Sequence, residues 1–135
     1  MADPEAAVTD THALIYHAAA SSRLGKRAAA HFRACEERRG IIYVPAAVIW
    51  EVSLLARSGH VSLRRTTQAF FEDLFSNPAY HPYDLTAAQI YDADRLPFTR
   101  DPFDALICAA ARDLELPLLT PDTTIENSGA VRVMW

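Results

Sequence analysis

The segment Arg100–Asp122, RDPFDALICAAARDLELPLLTPD, sets out a helix start, an apolar helix, a short connection and a buried strand that ends on an acid. Asp101 is a favourable N-cap, and Pro102 suits the first helical position, where its missing N–H costs nothing. Asp104 then falls in the first turn, close to the positive end of the helix. Ile107, Cys108 and Ala111 follow it at helical spacing, so the acid heads an apolar stripe. Leu116–Thr120, set off by Pro117 and Pro121, reads as a strand ending at Asp122. In a parallel sheet, an acid at a helix start and an acid at a strand end face one crevice. Open α/β sheets bind their ligands in such crevices, at the carboxyl ends of the strands.

Working outward, strand and helix signals alternate along the whole chain. Ala6–Thr9 is a weakly apolar first strand ending on Asp10, and Thr11–Ala19 continues as a small helix with Leu14 and Ile15 inward. Ser21 or Ser22 caps a second helix to about Arg38, which Gly40 terminates. Ile41–Val44 (IIYV) is a β run, and Pro45 opens a helix to about Ser58 that carries Trp50, Glu51, Leu54 and Leu55. Ser62 starts another helical pattern, with Phe70, Phe71, Leu74 and Phe75 on its buried face, and Asn77-Pro78 ends it. Tyr80–Leu85 is a short strand that Pro82 assigns to an edge or an irregular position. Thr86 caps Ala87–Asp94, and Arg95–Arg100 is a loop. After Asp122 come a helical turn to about Asn127, Gly129 and a last strand, Ala130–Met134. This order predicts an α/β fold with a mainly parallel sheet. Without internal repeat, low-complexity tract or linker, residues 1–135 read as one domain.

Composition narrows the function only loosely. Half of the 135 residues are hydrophobic and 22% are charged, ordinary values for a soluble protein. The formal charge of −4 does not advertise nucleic-acid binding, yet acids gathered at a metal site account for such a deficit. The thirteen positive side chains are all Arg except Lys26, enough for a local basic rim. Cys35 and Cys108 match no metal or redox spacing and read as buried free thiols. The start, MADPEAAVTD, lacks the basic flank and apolar core of a signal peptide, and no apolar run nears the ~18 residues of a membrane span. A cytoplasmic location without membrane attachment is the expectation.

Asp10 and Asp122 end strands and Asp104 opens a helix. Glu51 lies within a helix, among Val48, Ile49, Trp50, Leu54 and Leu55, a setting foreign to a solvated acid. Gathered carboxylates raise one another's pKa unless a cation neutralises them. No His/Cys set accompanies these acids, so a hard, oxygen-seeking ion, Mg²⁺ or Mn²⁺, is the matching partner. That pairing suits phosphodiester hydrolysis. Taken singly, each acid also has an ordinary reading. Asp10 is then a strand-end turn residue, Asp101 and Asp104 are helix-start acids, Glu51 is solvated, and Asp122 is a turn residue or N-cap.

Four segments in order, Asp10-Thr11-His12-Ala13-Leu14, Val48-Ile49-Trp50-Glu51-Val52, Arg100-Asp101-Pro102-Phe103-Asp104-Ala105-Leu106-Ile107 and Leu119-Thr120-Pro121-Asp122, together resemble the PIN domain, most closely the VapC-type toxins of toxin–antitoxin pairs. The resemblance spans nearly the whole chain. It implies a three-layer α/β/α sandwich around a central, mainly parallel sheet. It also implies an Mg²⁺- or Mn²⁺-dependent endoribonuclease, with Asp10, Glu51, Asp104 and Asp122 at the family's acidic positions. Asp10, Asp104 and Asp122 would hold the metal, and Glu51 would hold it or orient water. Asp101 matches a less essential acid, and Thr11 matches a small polar residue that supports the metal site. His12 reads as packed rather than as a base. The first strand is poorer in large aliphatics than is usual there, and no acid follows Asp122 before Glu126, so one metal or two stays open.

The same resemblance implies attack of water in line with an RNA phosphodiester, leaving 5′-phosphate and 3′-hydroxyl ends. Arg95 and Arg100 are the nearest phosphate-binding candidates in sequence. The partners implied are a VapB-type antitoxin inserting over the active site and a second copy in a homodimer. Trp50, Phe70, Phe71 and Phe75 read first as core and otherwise as the lining of an antitoxin groove. Three other readings compete, one of them a hydrolase of the haloacid type, which wants a second Asp where this chain has His12. A receiver-like Mg²⁺-binding signalling domain needs a Lys ending a late strand, and Lys26, the one Lys, lies in a helix. A catalytically silent PIN-like binding module is expected to have lost an acid, and all four are present.

Overall fold

The computed structural model describes residues 5–135. Met1–Pro4, part of the start read above for a signal peptide, lie outside the described residues. The chain runs β1 (Glu5–Thr9), α1 (Thr11–Ala18), α2 (Lys26–Glu36), β2 (Gly40–Pro45), α3 (Ala46–Arg57), α4 (Thr67–Phe75), β3 (Tyr80–Tyr83), α5 (Ala87–Asp94), α6 (Pro102–Leu114), β4 (Leu118–Leu119), α7 (Thr123–Ser128) and β5 (Val133–Met134). The strands form one sheet in the order β3-β2-β1-β4-β5, every pairing parallel. Helices cover both faces, giving a three-layer α/β/α sandwich.

This order places the site. From β1 the chain winds outward through β2 and β3, then returns to the other side of β1 through β4 and β5. The winding reverses between β1 and β4, the position where open sheets leave a ligand-binding crevice. Asp10 follows β1 there, and Thr120 and Asp122 follow β4. The ladder continues to the crevice, with Asp10 N–H donating to Leu119 O at 3.0 Å.

The core explains the order's stability. Val8, Ile42, Val44, Leu118 and Leu119 of the three inner strands are fully buried, beneath Leu14, Phe32, Val48, Ile107 and Cys108 from the helices. Ladder positions buried on both faces read as apolar runs rather than alternating ones, as IIYV does. Pro82 is tolerated because β3 is an edge strand, where one side of the backbone needs no partner. Both cysteines are buried free thiols, each pushed up to about 12 chiefly by burial.

Several boundaries differ from expectation, each for a local reason. The second helix starts at Lys26 behind Gly25, not at Ser21 or Ser22. It is ended by Arg38, not Gly40: Arg38 takes the left-handed conformation (φ 60°), and Arg39 N–H reaches back to Ala34 O at 2.7 Å. Gly40 instead opens β2, where a Cβ would press on Ala34 Cβ at 3.3 Å. The helix expected from Ser62 starts at Thr67, because Arg64 is left-handed (φ 58°) and Thr66 supplies the cap, accepting from Ala69 N–H at 3.0 Å. The strands read as Tyr80–Leu85, Leu116–Thr120 and Ala130–Met134 shorten to Tyr80–Tyr83, Leu118–Leu119 and Val133–Met134. Among the aromatics read as core, Phe71 is buried but Trp50 is 49% exposed.

Candidate active site

Each sequence-selected acid stands where an element begins or where a helix faces the crevice. Asp10 caps α1, its Oδ1 accepting from Ala13 N–H at 2.7 Å. Asp101 caps α6 by accepting from Phe103 and Asp104 N–H groups at 2.8 and 3.2 Å. Asp122 is the N-cap of α7 rather than the last residue of a strand, with Oδ1 accepting from Thr124 and Ile125 N–H groups at 2.8 and 3.1 Å. These caps satisfy helix N–H groups that lack intrahelical partners, and they fix each carboxylate's position. Asp104 lies half-buried in the first turn of α6, and Glu51 half-buried in α3.

Two threonines tie the acids together. Thr11, itself buried, donates its hydroxyl to Glu51 Oε1, joining α1 to α3. Thr120, also buried, donates to Asp10 Oδ2 and accepts from Asp122 N–H at 3.1 Å. Thr120 was missed as a site residue because Leu116–Thr120 reads as strand. Its signal was present in Thr120-Pro121-Asp122, a hydroxyl two residues before an acid, which is the spacing of a local side-chain-to-backbone turn.

The electrostatics show a crowded set of acids. Burial pushes the Asp10 carboxyl up to about 6, the Thr120 and Ala13 hydrogen bonds and His12 oppose the rise, and Glu51 adds to it. Asp104 is pushed up to about 7, first by burial, then by Asp101, Asp122, Glu51 and Asp10. All five acids therefore share one field, although they come from four separate stretches of chain, Asp101 and Asp104 sharing the start of α6. Among the described residues, none of the five forms a salt bridge. Uncompensated charge of this kind, on oxygen donors alone, fits a hard divalent cation. As the side chains stand, no three acids, histidines or cysteines among the described residues approach closely enough to share an ion. Hydrogen bonds to neighbouring threonines and backbone amides hold the Asp10, Glu51 and Asp122 oxygens where they are.

His12, read as packed, is exposed instead, because it projects from the first turn of α1 between buried Thr11 and Ala13. Arg95 and Arg100 are exposed on the stretch between α5 and α6. A cavity of about 470 Å³ has none of the acids in its lining, which includes Leu14, Ile15, Val52, Leu63, Arg65 and Phe70. Its walls include α1 and α3, the helices that carry Thr11 and Glu51. No helix among the described residues is long and apolar enough to cross a membrane.

Comparison with known proteins identifies the family and the fold. A family model described as PIN domain matches residues 7–129. Similar solved structures include VapBC2 from Rickettsia felis, bound to a DNA fragment from its promoter (TM-score 0.69, 12% identity, covering 95% of this chain and 96% of that one). FitAcB from Neisseria gonorrhoeae gives a TM-score of 0.64 at 16% identity, covering 93% of this chain and 94% of that one. A toxin–antitoxin complex from Klebsiella pneumoniae gives 0.61 at 20% identity, with the same coverage of 93% and 94%. No curated protein matches the sequence.

Proposed function

The chain belongs to the PIN-domain family, and we propose that it is a divalent-metal-dependent endoribonuclease that acts as the toxin of a toxin–antitoxin pair. PIN domains are generally nucleases. The observation that carries the reading here is the convergence of Asp10, Glu51, Asp104 and Asp122 from four elements, with no salt bridge to any of them among the described residues; burial and these neighbours, with Asp101, push the Asp104 carboxyl up to about 7. Asp10, Asp101 and Asp122 also cap helices, but Asp104 and Glu51 cap none, and a bound cation gives their place among the other acids a purpose.

Asp10, Asp104 and Asp122 would hold Mg²⁺ or Mn²⁺. When bound, the ion lowers the pKa of water and neutralises charge building on the phosphate. The chain's own groups do the rest. Thr120 fixes Asp10 relative to Asp122, and Thr11 fixes Glu51, which holds the ion or orients the attacking water. Asp101 sets the start of α6 and so the height of Asp104. Arg95 and Arg100, exposed on the stretch before α6, would bind RNA phosphates.

The antitoxin reading has its own support. Two of the similar structures are VapBC2 and a toxin–antitoxin complex. The cavity between α1, α3 and the 61–65 stretch is lined by apolar Leu14, Ile15, Val52 and Phe70 together with Arg64 and Arg65, a chemistry suited to an amphipathic helix from a VapB-type antitoxin. A homodimer belongs to the same proposal, and Leu85, Ile90 and Tyr91 are large apolar side chains left exposed for a second copy.

The test is cleavage of RNA with Mn²⁺ by purified wild type and by Asp104→Asn. The proposal expects wild-type cleavage that chelator abolishes and that Asp104→Asn lacks while remaining folded. Equal activity in the two proteins would remove Asp104 from the site. A folded, antitoxin-free wild type that binds Mn²⁺ but cuts nothing would make the chain a silent binding module.

A further inference from the structure

Resting on the nuclease reading above, we infer that Trp50 and Arg57 form a stacking platform for a base of single-stranded RNA entering the acidic crevice. Trp50 is the residue before Glu51 in α3, yet it is 49% exposed, while Ala47, Val48 and Val52 of the same helix are buried. The Arg57 guanidinium carbon lies 5.2 Å from the centroid of the indole ring. Arg57 takes part in no salt bridge among the described residues, so its cation rests on the aromatic face.

Position ties Trp50 to the crevice, and Arg57 reaches the indole ring from the far end of the same helix. The N-terminal end of α3 follows β2 directly, so it lies at the carboxyl edge of the sheet, the edge that carries Asp10. Helix side chains lean toward their own N-terminus, which aims Trp50 toward that edge. Glu51 turns to Thr11 and the acids, and Trp50 stands on the adjoining outward face.

The chemistry favours a nucleic-acid base as the occupant. A crevice lined by acids repels the polyanionic backbone outside the metal centre, so affinity must come from contacts that tolerate or neutralise phosphate. An indole and a guanidinium supply two planar surfaces on which an unstacked base can lie, with the cation adding attraction for the strand. Such stacking accepts any base, so the pair would anchor the strand and leave the choice of cleavage site to other contacts. The rival occupant is a second copy of this chain, since Trp and Arg are also common at protein interfaces.

Three proteins test this: wild type, Trp50→Ala and Trp50→Phe. Each is assayed for Mn²⁺-dependent cleavage of labelled single-stranded RNA oligonucleotides of randomised sequence, with sedimentation run in parallel. A ring removed should raise KM roughly ten-fold or more with a much smaller fall in kcat, and Trp50→Phe should recover most of the loss. The sedimentation profile and melting temperature should not move. An unchanged KM in Trp50→Ala overturns the inference while the nuclease reading stands. A KM change that tracks loss of a dimer also overturns it, and makes Trp50 a contact between copies. A wild type that cuts no RNA overturns the nuclease reading and this inference with it.

Discussion

Thr120 and Asp10, 110 residues apart, are joined by a buried hydrogen bond from the Thr120 hydroxyl to Asp10 Oδ2, and the same hydroxyl accepts from Asp122 N–H at 3.1 Å. One side chain thus sets the relation between the acid after the central strand and the acid after its neighbour. Thr120→Val keeps the shape and removes both bonds. It leaves a buried carboxylate oxygen and a backbone N–H without partners, a loss of roughly 1–3 kcal/mol in stability. Activity should fall roughly 10–100-fold, the range for residues that orient metal ligands. Thr120→Ser should restore most of both, as read by chemical denaturation and initial cleavage rates.

The raised carboxyls give the metal-free protein a signed pH dependence. Asp10 and Asp104 titrate at about 6 and about 7 in the fold, above the ordinary 3.8. Between those values the folded state binds more protons than the unfolded chain, so stability falls as pH rises. Their contribution is whole below the unfolded value and is lost as pH passes through 6 to 7. Melting temperatures measured in chelator should therefore be higher at pH 5.5 than at pH 8. Added Mn²⁺ should close the gap at pH 8, where the carboxylates are charged and able to bind it. Asp104→Asn should flatten the chelator profile and melt a few degrees higher than wild type at pH 8, about what removing a kcal/mol of repulsion gives. A wild-type profile that rises toward pH 8 in chelator would contradict this reading.

How far the sequence reaches is clear from particular residues. Asp101-Pro102 announced the start of α6, and the Thr86 cap of α5 was readable for the same reason: both are local devices that act within three residues. The acids at Asp10, Asp104 and Asp122 were visible because the strand and helix boundaries locate them. Gly40 and Ser62 misled because the helix stop at Arg38 and the break at Arg64 are left-handed non-glycine residues, which composition does not reveal. Trp50 and His12 were placed inward by type, yet which face of a helix meets the core is decided by neighbours distant in sequence. The Thr120–Asp10 bond was invisible for the same reason, since only the sheet order makes β4 the neighbour of β1.

The proposed antitoxin groove would let partner binding be separated from catalysis. Ala18 is exposed at the end of α1 and lines the cavity with Leu14 and Phe70. Ala18→Trp fills that space without touching the acids. It should weaken the complex with the cognate antitoxin more than ten-fold, about 1.4 kcal/mol, measured by calorimetry. RNA cleavage by the free protein should remain within a factor of two or so, because no acid or its threonine changes environment. Undiminished antitoxin affinity would move the docking site elsewhere.

The most direct measurement of the central claim is to map the new 5′ ends formed when antitoxin-free protein is incubated with total bacterial RNA, with Mn²⁺ or with chelator. Wild type, Asp104→Asn and Asp122→Asn should be run side by side. The account predicts discrete cuts bearing 5′-phosphate, present only with Mn²⁺. Each asparagine variant should fall more than about 100-fold, beyond what a merely supporting residue costs. Cuts that persist in chelator, or that both variants make at the wild-type rate, would contradict it.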